Sequence, residues 1–424
     1  MATPLFQAPK GTRDVLAPES TRQRSLIDRF AEQATLAGYG QVATPIFEDL
    51  GVFQRIGEST DVVTKEMYDF EDKDGRRLAL RPELTASVVR AFVQHRPATP
   101  WRAWYEGPQF RYERPQAGRY RQFTQVGAEV LGTDDPHADV EIMALAWRFF
   151  EDLGLARVTL LVNSLGDESC RPAYLAELST YLHDRSADLT EQSRTTLAVN
   201  PLRVLDSKRE PDQAVIDEAP LMVDHLTAEV AEHFEAVSQG LQALAIPYQL
   251  SPRLVRGLDY YQRTTFEFAA DALDSAQNAI GGGGRYDGLA EQLGGPATPG
   301  VGFALGVERI LMACDAESVF AGPDISPQVF VIDVTDGSQA LSLTDQLRQA
   351  GVRADRAFER RSMKAQMKVA DRSGAAWAVL IGDDELARNE ATLRDLRGDA
   401  GQVTVERSAL IERLLELTST NGES

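Results

Sequence analysis

Residues 109–129 hold the side chains of this chain that are best suited to bind a ligand. A turn signal from Pro115 to Gly118 separates two runs rich in aromatic residues, which predicts a β-hairpin. Side chains two apart share one face of a strand. One such face of the second run carries Arg119, Arg121, Phe123, Gln125, Gly127 and Glu129. Two cations, an aromatic ring, an amide and a carboxylate together favour a site for a charged aromatic ligand. The alternative is an arginine-rich face that contacts only solvent.

Arginine also recurs beside aromatic residues and glycines elsewhere, so that the candidate cations are Arg111, Arg119, Arg256 and Arg309. A guanidinium binds phosphate through paired hydrogen bonds and stacks on aromatic rings. Glu83 and Glu129 add carboxylates that could hold an amine. Cations for phosphates and carboxylates for an amine predict a site for ATP and an amino acid. Nucleotidyl transfer at such a site needs positioning and charge neutralisation more than covalent chemistry from the protein.

The four glycines at 281–284 do not match a known nucleotide-binding loop. The pattern G-x-G-x-x-G is absent and no Gly-Lys-Ser/Thr follows, which excludes a Rossmann turn and a Walker loop there. Glycines at these positions would allow either a close approach of the backbone to a ligand or the tight turn of a hairpin. The five histidines are scattered, so no metal site is expected. Cys170 and Cys314 belong to no C-x-x-C pair, and we expect them to pack in the interior of a cytoplasmic protein.

The length of 424 residues suggests two or three domains. Apolar runs are too short for a membrane span and no N-terminal signal pattern is present. The net charge of −20 argues against non-specific binding to nucleic acid. Residues 353–372 are an exception, because seven Arg or Lys residues stand there against three acids. This basic segment predicts a local RNA-binding surface, and the alternative is a solvated helix face.

Hydrophobic periodicity predicts the elements that position these side chains. In the first part of the chain the predicted elements are a helix at 20–37 that ends at Gly38, strands at 42–47, 76–84 and 158–163, helices at 86–93 and 138–153, a mostly helical stretch at 166–245, strands between 248 and 268, and a glycine-rich strand that runs into a helix at 300–312. Thr85 is a candidate N-cap, and Pro45 belongs at a sheet edge or at a contact between subunits. After a linker at 320–327, alternating strands and helices predict a small α/β domain with a mainly parallel sheet.

Six motifs spread over nearly the whole chain carry a family resemblance. They are Lys10-Gly11-Thr12-Arg13-Asp14, Arg81-Pro82-Glu83-Leu84-Thr85, Phe110-Arg111-Tyr112-Glu113-Arg114-Pro115-Gln116, Leu254-Val255-Arg256-Gly257-Leu258-Asp259-Tyr260-Tyr261, Gly282-Gly283-Gly284-Arg285-Tyr286-Asp287 and Gly302-Phe303-Ala304-Leu305-Gly306-Val307-Glu308-Arg309. Together they resemble histidyl-tRNA synthetase of the bacterial type. The run Arg-Gly-Leu-Asp-Tyr-Tyr is specific to this family. The arginine hairpin and the final Gly-x-Glu-Arg are shared by all class II aminoacyl-tRNA synthetases.

The resemblance implies a fold class and a domain arrangement. The expected catalytic domain is of the α+β class, with an antiparallel sheet flanked by helices, and it spans residues 1–165 and 246–324. A helical insertion is expected at 166–245, and a C-terminal α/β anticodon-binding domain at 325–424. The family also implies a cytoplasmic homodimer whose interface uses the region around Pro45.

The resemblance further implies a role for each candidate site residue. Glu83, Thr85 and Gln125 match positions that hold the α-amino group of histidine. Glu129 and Tyr261 match positions that bind the imidazole, with Tyr260 beside them. The expected ATP-binding residues are Arg111 at the α-phosphate, Glu113, Arg119 toward the γ-phosphate, and Phe123 and Arg309 on either side of the adenine. Arg256 matches the catalytic arginine, and Arg111 is expected to share its catalytic role.

The implied reaction is the ATP-dependent activation of L-histidine to histidyl-adenylate and its transfer to the 3′ end of tRNA(His). Mg2+ is expected to accompany ATP, and no metal site of the protein itself is expected. One alternative is a histidine-binding regulatory paralogue of ATP phosphoribosyltransferase, which normally lacks the anticodon domain and much of the Arg-Gly-Leu-Asp-Tyr-Tyr run. A class II synthetase for another amino acid is the second alternative, and Glu129, Tyr260 and Tyr261 argue against it.

Overall fold

The computed structural model describes residues 6–57, 61–273, 278–359 and 361–419. The chain divides into two compact units, Met1–Gly322 and Pro323–Ser424. The division falls within the segment 320–327, whose composition is that of a linker. No helix in the described ranges is long and apolar enough to cross a membrane.

The first unit contains eleven described strands and eleven described α-helices. The strands are β1 (Gly40–Gln41), β2 (Phe47–Asp49), β3 (Tyr68–Glu71), β4 (Arg77–Leu80), β5 (Trp101–Phe110), β6 (Gln122–Leu131), β7 (Val158–Ser164), β8 (Gln249–Leu250), β9 (Gln262–Ala270), β10 (Ala279–Arg285) and β11 (Gly300–Gly306). The helices are α1 (Glu19–Leu36), α2 (Leu50–Gly57), α3 (Asp61–Thr64), α4 (Thr85–His95), α5 (Pro136–Asp152), α6 (Arg171–Asp184), α7 (Glu191–Val199), α8 (Glu210–Asp217), α9 (Ala228–Ala243), α10 (Leu289–Gln292) and α11 (Val307–Glu317).

An eight-stranded sheet in the order β1-β5-β6-β11-β10-β9-β7-β8 is the framework of this unit. The pairs from β5 to β7 are antiparallel, and only the short edge strands β1 and β8 pair in parallel with their neighbours. The expected antiparallel sheet with flanking helices is therefore confirmed. Residues of one parity on β6, such as Val126 and Ala128, join the core formed with α1, α5 and α11. The other parity, which includes Gln125 and Glu129, is left for the opposite face.

The main core lies between that sheet and α1, α5 and α11. Phe30 of α1 contacts both Phe149 of α5 and Phe303 of β11 edge to face, with ring centroids 5.2 and 6.1 Å apart. Such edge-to-face pairs stabilise beyond the area they bury. The helix predicted at 20–37 is present as α1, and it ends where Gly38 adopts a φ of +80°, a conformation that favours glycine.

The two early strands are shorter than predicted. Residues 42–46 lie outside regular structure between β1 and β2, because Pro45 has no N–H to donate to a sheet. The buried guanidinium of Arg81 donates instead to the carbonyls of Thr44 and Pro45, at 3.0 and 3.3 Å. The strand predicted at 76–84 stops at Leu80, immediately before Arg81. β2, β4 and β3 form a separate three-stranded antiparallel sheet.

Residues 171–243 are helical, as the sequence indicates, and we call them the helical segment. Beside α6 to α9 this segment contains short 3-10 turns at Ser186–Asp188, Pro201–Asp206 and Met222–His225. Its residues share a core of their own around Tyr174, Leu178 and Leu205. The last helix, α9, joins both cores, because Val230 belongs to the core of the helical segment and Val237 and Leu241 to the main core.

The second unit is a five-stranded sheet with four helices. Its elements are β12 (Val329–Asp333), α12 (Ser338–Gln349), β13 (Ala354–Arg356), α13 (Met363–Arg372), β14 (Trp377–Ile381), α14 (Asp383–Arg388), β15 (Glu390–Asp395), β16 (Gln402–Glu406) and α15 (Leu410–Ser419). The order is β13-β12-β14-β15-β16, in which the first three strands are parallel and the last two antiparallel. The prediction of a mainly parallel sheet is therefore wrong for β15 and β16, which both pair in antiparallel.

Candidate active site

A cavity of about 230 Å³ lies over the middle of the eight-stranded sheet. Every predicted site residue except Glu129 lines it, namely Glu83, Thr85, Arg111, Glu113, Arg119, Phe123, Gln125, Arg256, Tyr260, Tyr261 and Arg309. These residues come from motifs that are up to 226 positions apart (Glu83 to Arg309), so the fold and not the local sequence brings them together. Strands β6, β10 and β11 supply the floor of the cavity through Gln125, Gly282 and Ala304.

In the predicted hairpin at residues 109–129, side chains of the second run were expected to alternate between the ligand-facing side and the core, and this holds only in part. Phe123 and Gln125 line the cavity from β6, as their shared parity requires. Arg119 and Arg121 precede the strand, in a turn, so alternation does not govern them. Arg121 is directed elsewhere, and its guanidinium lies 3.7 Å from the ring centroid of Tyr112. Its inclusion in the ligand-facing set was wrong.

The four glycines form the middle of strand β10 and not the turn of a hairpin. A side chain on Gly283 would overlap the backbone of Gly302 on the neighbouring strand. A Cβ on Gly282 would lie 2.9 Å from the guanidinium carbon of Arg256. The hairpin interpretation is therefore wrong. Glycine is needed here for close approach, since Gly281 and Gly282 also line the cavity.

Arg111 and Arg309 are anchored by hydrogen bonds to backbone carbonyls. Arg111 Nε donates to the Pro82 carbonyl at 2.9 Å, and its guanidinium lies 5.2 Å from the ring centroid of Phe123. Arg309 Nη1 donates to the Ala279 carbonyl at 2.6 Å, and burial lowers the pKa of Arg309. A guanidinium has five N–H donors, so the bond from Nε to Pro82 fixes the position of Arg111 without using all of its donors.

Arg119 and Arg256 are held by carboxylates. Arg119 lies 3.6 Å from Glu113, and Arg256 forms an ion pair with Glu267 of β9. The Nε atom of Arg256 is buried and has no hydrogen-bond partner among the described residues. A buried donor without a partner is costly in free energy. This part of the cavity therefore suits a ligand with acceptor oxygens.

Glu83 and Thr85 lie at the start of helix α4, and Thr85 does not have the N-cap role that its residue type predicts. The carboxylate of Glu83 accepts from the Ala86 backbone N–H at 2.8 Å, so Glu83 satisfies the start of the helix. Thr85 is not the N-cap. Its hydroxyl donates to Glu129 at 2.7 Å. Burial raises the pKa of Glu83.

Glu129 lies directly behind the cavity wall, fully buried. Besides Thr85, it accepts from the Tyr286 hydroxyl at 2.5 Å, and the Tyr105 hydroxyl lies 3.0 Å from its Oε1. Burial raises the pKa of Glu129 to about 8, although these hydroxyls act in the opposite direction. We call Glu129 with Thr85, Tyr105 and Tyr286 the Glu129 network. The sequence did not indicate a role for either tyrosine, and the only signal was that Tyr286 follows the glycine run in the motif Gly282-Gly283-Gly284-Arg285-Tyr286-Asp287.

Two further polar atoms in the cavity lack partners within the described part of the chain. Both Gln125 Oε1 and the hydroxyl of Tyr260 are buried without a hydrogen bond. Buried polar groups in native proteins are nearly always satisfied, so these two atoms suit hydrogen bonds with a polar ligand. Glu308 is a cavity residue that the sequence analysis did not single out, and its carboxylate accepts from the Thr124 backbone N–H at 2.9 Å.

A second cavity, of about 490 Å³, lies in the second unit beyond the carboxyl end of β12. Arg356 and Arg361 of the basic segment line it, together with Asp333 and Gln366. Arg356 also stacks on the exposed ring of Phe358, 4.9 Å from its centroid. Arg360 belongs to the same segment but lies outside the described residues. A polar cavity with cations and an exposed ring beside it suits an unstacked nucleobase and its phosphate.

Comparison with known proteins identifies the class to which this fold belongs. The solved structure of apo histidyl-tRNA synthetase from S. aureus superposes on the chain with a TM-score of 0.82 and 35% sequence identity. The match covers 97% of this chain and 100% of the S. aureus chain. The fold is thus that of an aminoacyl-tRNA synthetase.

The family follows from sequence models and relatives. A model described as histidyl-tRNA synthetase matches residues 11–310, and one described as anticodon binding domain matches residues 328–417. The histidine–tRNA ligase of Corynebacterium kroppenstedtii is 49% identical over 92% of this chain and 92% of its own length, and that of Nocardia farcinica 48% identical over 95% and 96%. The chain therefore belongs to the histidyl-tRNA synthetase family.

Proposed function

We propose that this chain activates L-histidine with ATP and transfers it to the 3′ end of tRNA(His). One observation supports this most strongly. A single cavity collects the arginines suited to a triphosphate and the polar groups suited to an amino acid. Family membership and the anticodon-binding second unit supply the tRNA part of the reaction.

The ATP end of the cavity is assigned to its arginines. Arg111 faces the α-phosphate, Arg119 the γ-phosphate, and the adenine lies between Phe123 and Arg309. Arg309 and Phe123 offer a cation and a ring face, and both stack on purine rings. Mg2+ enters bound to ATP as part of the substrate, and Glu113, which lies 3.6 Å from Arg119, is assigned to the ATP end of the cavity. Within the described ranges, no group of three or more His, Cys, Asp or Glu side chains could hold a metal ion independently.

The histidine end is assigned to the residues around α4 and the β6 floor. Glu83, Thr85 and Gln125 bind the α-amino group, because they offer a carboxylate, a hydroxyl and an unpartnered amide oxygen. Tyr261 and Glu129 select the imidazole. Tyr260 packs beside Tyr261, with their ring centroids 4.7 Å apart. Buried hydrogen-bonding groups reject a side chain that lacks the matching N–H, since they would be left unpaired.

The reaction then follows from positioning and charge. A carboxylate oxygen of histidine attacks the α-phosphorus of ATP and pyrophosphate leaves, which forms histidyl-adenylate. The terminal ribose hydroxyl of tRNA then attacks the carbonyl carbon and AMP leaves. Arg111 and Arg256 stabilise the negative charge that develops on the α-phosphate oxygens. Holding both substrates in one cavity removes most of the entropic cost of the first step.

Amino-acid-dependent exchange of pyrophosphate into ATP tests the proposal. We expect exchange with histidine only, across a panel of the twenty amino acids. Arg256→Ala should reduce the rate by about 100-fold or more, a magnitude known for the loss of one charge-stabilising donor. Arg413→Ala, which removes a surface ion pair of the second unit with Glu416, is the matched control and should have no effect. Exchange with another amino acid, or full activity of Arg256→Ala, would contradict the proposal.

Charging of tRNA separates this proposal from the regulatory paralogue. A regulatory subunit would bind histidine without charging tRNA, and it would not need the second unit. We expect histidylation of tRNA(His) by the full chain. Failure to charge tRNA together with an intact affinity for histidine would favour the regulatory function instead.

We further propose a cytoplasmic homodimer that contacts its partner around Pro45. The adjacent side chains of Ile46 and Phe47 are 45% and 53% exposed, although both are apolar. Exposed apolar groups next to an edge strand are typical of an interface between subunits. Both cysteines are unpaired and buried, which fits a reducing compartment.

A further inference from the structure

The loop at residues 251–261 carries Arg256, Tyr260 and Tyr261 into the cavity without helix or strand structure of its own. We call it the 251–261 loop. A loop of this kind needs support from other parts of the fold, because catalytic groups must be held to within a fraction of an ångström. The sheet supplies only some of that support. Asn163 of β7 donates to the carbonyls of Pro252 and Leu254, at 3.3 and 3.0 Å.

Arg203 of the helical segment holds the loop at its centre. Its Nη2 donates to the Gly257 carbonyl at 2.7 Å and lies 3.5 Å from the carboxylate of Asp259. Asn200 reaches the same carboxylate at 3.3 Å. The Gly257 carbonyl belongs to the residue directly after Arg256, so this contact fixes the backbone from which the arginine extends.

The helical segment also holds both ends of the loop. Arg253 donates to the carbonyls of Asp217, Ala219 and Pro220, at 3.0, 2.5 and 2.9 Å. These carbonyls lie at the carboxyl end of α8, where helix carbonyls lack partners and attract cations. Arg171 of α6 donates to the Tyr261 carbonyl at 2.6 Å.

Apolar packing also joins the 251–261 loop to the helical segment. Val255, immediately before Arg256, packs against the core of the helical segment and not against the main core. The loop is therefore anchored to the helical segment by hydrogen bonds and apolar packing, while the side chain of Arg256 reaches across to Glu267 on the sheet.

We infer that the helical segment positions Arg256 for adenylate formation, and that Arg203 is the positioning residue through which it acts. The inference rests on the proposed function. Arg203 does not line the cavity, so its effect reaches the reaction only through the loop.

Arg203→Met tests the inference because it keeps an unbranched apolar stem but removes the guanidinium and its hydrogen bonds. We expect kcat/KM for histidine in pyrophosphate exchange to fall by about 10- to 100-fold, the usual effect of a misplacement of about 1 Å. The KM for ATP should change by less than about twofold, because Arg111, Arg119 and Arg309 lie outside the loop. Arg203→Lys keeps one charged donor and should restore part of the activity.

Arg194→Met is the matched control. Arg194 lies in the same segment, and among the described residues it donates to the carbonyls of Ser186 and Leu189, at 3.3 and 2.6 Å, which are also in the segment. We expect exchange at the wild-type rate after this substitution. Thermal unfolding of both variants separates loss of structure from loss of positioning.

A double-mutant cycle supplies the decisive readout. If Arg203 acts through Arg256, Arg203→Met should slow adenylate formation no further in the Arg256→Ala background. Additive losses, or equal activity of Arg203→Met and Arg194→Met, would overturn the inference. Absence of histidine-dependent exchange in the wild type would instead refute the proposed function, so the two failures are distinguishable.

Discussion

Gly302→Ala is a sharp test of the Glu129 network, because a single methyl group is added behind the cavity wall. Gly302 on β11 is directly opposite Glu129 on β6. A Cβ at this position would overlap the Oε2 atom of Glu129, well inside the 3.0 Å limit that Cβ atoms essentially never cross. The backbones on both sides are paired within the sheet, since Gly284 flanks Gly302 on β10. The carboxylate must therefore move, and the Ala128 carbonyl oxygen, 2.7 Å from the new Cβ, must shift as well.

The size of the effect follows from the contacts that are lost. Oε2 is the atom that accepts from Tyr286. Because Glu129 holds a proton at a pH below its pKa of about 8, the lost hydrogen bond joins neutral groups and contributes about 0.5–1.5 kcal/mol, which corresponds to about 2- to 13-fold in rate. A displacement of about 1 Å in an active site can cost about 100-fold, so the expected range is about 2- to 100-fold. We expect kcat/KM for histidine to fall within that range and the KM for ATP to stay nearly unchanged.

Pyrophosphate exchange at varied histidine and at varied ATP measures both quantities. Gly288→Ala is the matched control, because the nearest atom to its new Cβ would be Gln292 Nε2 at 4.0 Å. Tyr286→Phe, which removes the same hydrogen bond without adding volume, keeps the test informative if Gly302→Ala folds poorly. Wild-type kinetics for histidine in both variants would refute the role given to the network.

Three other predictions concern charge and assembly. Burial raises the pKa of Glu129 from its ordinary value near 4.5 to about 8, so between these pH values the carboxyl group is protonated in the folded protein. Unfolding releases the proton, and the contribution of Glu129 to stability therefore falls as the pH rises from about 4.5 to about 8. Glu129→Gln should gain stability relative to wild type by about 1.4 kcal/mol per pH unit in that window, measured by denaturant unfolding at pH 5 and pH 8, and a pH-independent difference would contradict this. Asp139→Asn should lower the free energy of unfolding by about 1.5–3 kcal/mol, because the fully buried Arg285 loses its buried carboxylate and keeps the ion pair with Asp287 at 3.2 Å, and a loss below about 1 kcal/mol would be inconsistent with the buried pair. Phe47→Asp should shift the protein toward monomer in light scattering, whereas Phe358→Asp should not, and an unchanged dimer would remove the Pro45 region from the interface.

The parts of the site that lie within one strand could be predicted from the sequence. Phe123 and Gln125 point into the cavity because side chains two apart share a face, and this holds without knowledge of any other strand. The same rule failed for Arg121, because nothing in the local pattern indicated that the strand begins only at Gln122. Strand boundaries depend on partners, which the alternation of polar and apolar residues does not identify.

Features that depend on register between distant strands could not be predicted. The hydroxyls of Tyr105 and Tyr286 reach Glu129 across separations of 24 and 157 residues. Thr85 has the residue type of an N-cap, but its hydroxyl donates to a carboxylate 44 residues away. Tertiary hydrogen bonds of this kind override local preferences.

The glycines at 281–284 illustrate a different limit. Glycine is required both in turns and where backbones pack closely, so its presence does not distinguish the two. Only the pairing of β10 with β9 and β11 shows that close packing is the reason here. The support of the 251–261 loop by the helical segment was equally hidden, since Arg203 and Gly257 are 54 residues apart.

A crystal structure with histidine and a non-hydrolysable ATP analogue would test most directly whether one cavity holds both substrates. We expect the α-phosphate beside Arg111 and Arg256, and the imidazole at the wall formed by Tyr261 and the Thr85–Glu129 pair. Histidine bound away from that wall, or a triphosphate that contacts none of the cavity arginines, would contradict the proposed reaction.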